Sequence, residues 1–86
     1  MKTHQEILAI TSLVMRINEL KGDFAISVDI HQCGLRFIQF DCDNQIERME
    51  CLYEFEEAYL PRLRKLRHDL EKIGQEALVQ RRERAA

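Results

Sequence analysis

Three histidines (His4, His31, His68) and three cysteines (Cys33, Cys42, Cys51) are the residues of this chain best suited to hold a metal or to act as nucleophiles. Their spacing speaks against both roles. A structural zinc site takes its ligands in close pairs, because two side chains must reach one ion from one turn of chain. The six residues share no ligand spacing typical of structural zinc, and the cysteines, odd in number and without a C-x-x-C, read as free thiols. Asp41-Cys42-Asp43-Asn44-Gln45 opens like a calcium loop, but the sixth position holds Ile46 instead of glycine and the twelfth Leu52 instead of glutamate. Helix capping is the better reading of those residues. Glu47, Glu50, Glu54 and Glu57 recur at helical spacing. Paired carboxylates do acid–base chemistry only where burial shifts their pKa, and these lie on a face that reads as wet. No Ser/His/Asp or Cys/His arrangement is present, and Gly22, Gly34 and Gly74 are too scattered for a phosphate loop. The expectation is a non-enzymatic protein with no catalytic residue, no cofactor and no metal.

Charge offers a second chemistry. Residues 1–60 carry five Lys/Arg against eleven Asp/Glu, a net −6, whereas residues 61–86 carry eight against four, a net +4. Arg62, Arg64, Lys65, Arg67, Arg81 and Arg82 are the candidate contacts to nucleic acid. Leu63 and Leu66 interrupt the basic run, and Asp69, Glu71 and Glu76 dilute it. No helix-turn-helix, zinc finger or RNA-binding aromatic pair accompanies it. Binding to nucleic acid is therefore the alternative reading. The uneven charge also suits an antiparallel second copy, acid against base.

The elements that must position these groups follow from periodicity. Thr3-His4-Gln5-Glu6 has the form of a capping box, and Ile10, Leu13, Val14 and Ile17 fall on one helical face. Lys21-Gly22 ends that helix, predicted over 4–20. Alternation predicts strands over 24–31 and 35–41 with Cys33-Gly34 in the turn. A three-residue loop sets Val28 opposite Ile38; a two-residue loop sets Ile30 against Phe37. In either register the second strand has apolar groups on both faces. Asn44 and Glu47 then open a second helix over 44–59, which continues through a kink at Pro61 or restarts there and runs over 61–80, with 81–86 frayed. Leu52, Tyr59, Leu63, Leu66, Leu70, Ile73 and Ala77 form its apolar stripe.

With 86 residues there is room for one small domain, and a chain of this size often supplements its core by association. The predicted fold class is α+β, a helix, a β-hairpin and a long kinked helix (α-β-β-α), forming a homodimer. The expected partner or dimer interface is Leu35, Phe37, Leu63, Leu66, Leu70 and Ile73. No signal peptide and no apolar run of roughly 18–20 residues are seen, so the expected setting is the cytoplasm, away from membranes. The expected function is a protein–protein interaction module: a regulator, adaptor or inhibitor. No motif places it in a family; size and plan resemble small accessory proteins of bacteria and their phages.

Overall fold

A computed structural model describes residues 2–22 and 25–85. Phe24, expected to open the first strand, and Ala86, the end of the expected frayed tail, lie outside the described residues. The elements run α1 (Lys2–Lys21), β1 (Ile26–His31), β2 (Gly34–Phe40), β3 (Ile46–Tyr53) and α2 (Tyr59–Ala85). The three strands form one antiparallel sheet in the order β1-β2-β3. The fold class is α+β: a helix, a sheet, then a long helix.

α1 starts earlier than the capping box implied. Lys2 is already helical, so Thr3 sits within the first turn and is not the cap. Glu6 instead reaches across to α2, where it accepts a bond from Arg67 Nε at 2.5 Å. The far end matches expectation. Gly22 takes φ 74° and donates its N–H to Asn18 O at 2.8 Å, the single bond of a left-handed helix stop.

The helix expected over 44–59 is a strand and a loop. β3 occupies Ile46–Tyr53 and pairs with β2 through Leu35↔Leu52 and Phe37↔Glu50. The residues read as helix caps build the hairpin turn instead. Asp41 Oδ1 accepts the N–H groups of Asp43 and Gln45, both at 2.9 Å, and Asn44 adopts φ 61°. That is a three-residue hairpin loop closed by a left-handed residue. The helix-forming residues Glu47, Met49, Glu50 and Leu52 are overruled, because the free edge of β2 offers hydrogen bonds and a place for Leu52 in the core.

Pro61 therefore kinks nothing. It is the third residue of α2, where its missing N–H has no partner to lose, and Arg62 makes the helix's first bond, to Ala58 O at 2.9 Å. Of the two expectations for this region, the restart is the one seen. α2 also stays helical through Arg81–Ala85, where fraying was expected.

The first hairpin has a two-residue loop, Gln32-Cys33, but neither expected pairing. Ile30 faces Leu35 and Val28 faces Phe37. Gly34 must be glycine, since a Cβ there would overlap the carbonyl oxygen of Leu52.

Both helices cover one face of the sheet. Ile10, Val14 and Ile17 of α1 and Tyr59, Leu63, Leu66 and Leu70 of α2 bury against Ile26, Leu35, Phe37 and Leu52. The helices run parallel: Glu6 meets Arg67 and, further along both, Ile17 meets Gly74. The expected interface residues Leu35, Phe37, Leu63, Leu66 and Leu70 are thus interior, and Ile73 packs half-buried on the same cluster. A third strand supplies the cover that the sequence reading assigned to another chain. Each fully buried leucine contributes roughly 1.5–3 kcal/mol.

Candidate interaction surface on the open sheet face

Alternation along the strands decides what the other face of the sheet presents. With Leu35 and Phe37 turned toward the helices, Arg36, Ile38 and Phe40 turn away. The register sets Ile38 opposite Met49 and Phe40 opposite Ile46. Among the described residues, no helix packs on this side.

The face is divided in two. Its β1 side is polar: Ser27 and Asp29 lie there, and Arg36 Nη2 meets Asp29 Oδ2 at 2.5 Å. That bond raises the Arg36 pKa above its ordinary value. Its β3 side is apolar. Ile46 is 58% exposed and Met49 55%, next to the half-buried Ile38 and Phe40. Past the end of β3, Phe55 is 80% exposed and stacks on Tyr53, with ring centroids 5.3 Å apart. A ring left so open lies outside the buried core, while single exposed leucines elsewhere need no explanation. The Tyr53 phenol is held above its ordinary pKa, chiefly by the Cys51 thiol beside it.

The acidic residues expected on a helix face are dispersed. Glu50 sits on the helix side of β3, where Arg48 bridges it at 2.6 Å and Asp69 of α2 at 3.0 Å. The Arg48 guanidinium also lies 5.5 Å from the centre of the Phe37 ring. Glu54 and Glu57 are exposed in the loop before α2.

The candidate nucleic-acid contacts do not form one open patch. Arg62 is bridged to Glu56 at 3.3 Å, Arg64 to Glu6 at 3.7 Å, and Arg67 to Glu6 and Glu71, each at 2.5 Å. Lys65 is exposed, as are the adjacent Arg81 and Arg82, but the two places are far apart along α2. Part of the basic charge of α2 is thus matched within the chain, by Glu6, Glu56 and Glu71.

Cys33 lies in the first hairpin turn, Cys42 in the second, and Cys51 on β3, all as free thiols. Cys42 is therefore not at a helix start, nor Cys51 on a helix. Among the described residues, no three His, Cys, Asp or Glu side chains gather as a metal site would require. Among the same residues no helix is long and apolar enough to cross a membrane.

The sequence reading missed Ile46, Met49 and Phe55 as members of an exposed apolar group. The signal was present: Met49, Cys51 and Tyr53 alternate with Arg48, Glu50 and Leu52, after a turn rich in Asp and Asn. Comparison with family models, with curated proteins and with solved structures found no match.

Proposed function

We propose that this chain is a non-catalytic protein-binding module whose binding surface is the β3 half of the open sheet face. The observation that supports the reading is the run of apolar groups from Phe40 and Ile46 through Met49 to Tyr53 and Phe55, of which Ile46, Met49 and Phe55 are more than half exposed. Covering such groups is favourable by about 25 cal/mol per Å² of apolar surface removed from water. The Asp29–Arg36 pair at the polar border gives the partner a fixed direction of approach. The occupant is an apolar protein surface, and the module acts as a regulator, adaptor or inhibitor by occupying it, in the cytoplasm. This moves the binding role from Leu63, Leu66 and Leu70, which the fold consumes, to the sheet.

The test uses the full chain as bait in three forms. The wild type and a control carrying Leu8→Glu with Met15→Glu, on the exposed side of α1, retain the same partner. Ile38→Glu with Phe55→Glu loses it. A partner kept by the sheet variant, or lost by the α1 control alone, would overturn the reading. A partner whose binding falls steeply with salt and needs Lys65, Arg81 and Arg82 would favour nucleic acid instead.

A further inference from the structure

The two edges of the sheet are not alike. On the β1 edge, Phe40 donates its N–H to Ala25 O, so residues 25, 27, 29 and 31 address β2, while 26, 28 and 30 turn their backbone groups outward. Asn18 of α1 meets the first of these. Its Nδ2 donates to Ile26 O at 2.8 Å, and its Oδ1 accepts the Ile26 N–H at 3.1 Å. An amide side chain thus occupies the place a neighbouring strand would take, which is how natural sheets blunt an edge.

On the β3 edge, Glu54 donates to Cys33 O at 2.8 Å, so 48, 50 and 52 address β2 while the backbone groups of Met49, Cys51 and Tyr53 point out of the sheet. Among the described residues, no strand pairs with this side. The apolar half of the open face runs up to this same edge.

We infer that β3 pairs antiparallel with β3 of a second copy of this chain, centred on Met49, to make a six-stranded sheet across a two-fold axis. The inference concerns the edge, and it stands apart from the reading that the face binds another protein. Three physical points select the occupant and its register. Met49 opposite Met49 of the second copy is a pair whose backbone groups both turn outward, so it makes two new ladder bonds. In that register Arg48 stands opposite Glu50 of the second copy, and Glu50 opposite its Arg48. The four charges then alternate in sign on the helix side, extending the Arg48–Glu50 bridge already present in each chain. Sliding by two residues sets Glu50 against Glu50, like charges face to face; sliding by two more leaves each Glu50 against Leu52. Pairing also joins the two apolar half-faces into one central band, with the polar β1 halves at its flanks.

Sedimentation of the full chain over a range of concentrations reads the mass. The wild type should pass from 10.2 kDa to twice that value as concentration rises. Met49→Pro removes one outward N–H and leaves the β2 ladder untouched, so it should stay monomeric with the far-UV spectrum of the wild type. The register is read separately by Met49→Cys in a chain whose Cys33, Cys42 and Cys51 are serine. A short bis-maleimide should link it into covalent dimers at concentrations where the wild type is dimeric. A wild type that is monomeric throughout overturns the proposal, as does a dimer that survives Met49→Pro or a Met49→Cys chain that yields no linked dimer. Ile38→Glu with Phe55→Glu should remain dimeric, so loss of a protein partner and loss of the dimer are separate results.

Discussion

Glu6 shows how one side chain can be given a role that its sequence neighbours do not announce. It is spaced as the closing residue of a capping box, but its carboxylate is only 14% exposed and holds Arg67 and, at longer range, Arg64. Arg67 responds with a pKa raised first by its bond to Glu6. Glu6→Gln should lower the thermal midpoint by a few degrees, whereas Glu71→Gln, on the exposed side of the same arginine, should change it little. Asn18 has a comparable hidden role at the β1 edge. Asn18→Ala leaves the N–H and C=O of Ile26 without their side-chain partner and should cost about 1–3 kcal/mol in urea unfolding. It should also lower solubility, because a blunted edge becomes an open one. Tyr59, at the start of α2, has its phenol pKa raised by burial and then by Glu54. The fold therefore favours the neutral phenol. Its contribution is fully present below the ordinary value of 10.0 and is lost as pH rises through the higher folded value. Tyr59→Phe should flatten the fall in stability above that pH, seen in denaturation midpoints taken along an alkaline series.

At the scale of elements, the glycines separate two kinds of constraint. Gly74 lies inside α2, and a Cβ there would sit 3.6 Å from Ile17 Cγ1, an ordinary contact. Gly74→Ala should stabilise the protein by up to about 1 kcal/mol, because it removes chain freedom from the unfolded state without a clash. Gly34→Ala should do the reverse and more strongly, since its Cβ has no room beside Leu52 and the β2–β3 ladder must shift. Both are measured by the same urea titration. α1, β1, β2 and the part of α2 from Tyr59 onward were legible because their apolar spacing fits one period only. The segment 45–58 fits two. Its Glu, Met and Leu residues favour a helix, yet Met49, Cys51 and Tyr53 alternate as a strand. Nothing local distinguishes them; the unsatisfied edge of β2 does.

For the whole molecule, the third strand changes the meaning of almost every exposed group. It closes the helix side of the sheet, so that the apolar stripe of α2 becomes interior. It also widens the opposite face from two strands to three and makes its β3 side apolar. Basic α2 lies against acidic partners from α1 and the loop before it, through Glu6 and Glu56, while its own Asp69 takes Arg48 of β3. Raising ionic strength should therefore weaken the folded chain slightly, by less than about 1 kcal/mol in urea titrations at low and high salt. The proposed self-association, which draws mainly on backbone bonds, should persist at high salt.

The sequence by itself determined the α+β class, the inward face of α1, the glycine that ends it, the first two strands, and the heptad-like stripe from Tyr59 to Ala77. These rest on short-range periodicity and on turn chemistry, which a linear reading contains. Only the tertiary structure decided that residues 46–53 are a strand, that Leu35, Phe37, Leu63, Leu66 and Leu70 are core, that Arg62, Arg64 and Arg67 face carboxylates of their own chain, and that Phe40, Ile46, Met49 and Phe55 share the open face. The physical reason is the same in each case: a strand is defined by its neighbour and a surface by what fails to cover it, and both depend on residues distant in sequence.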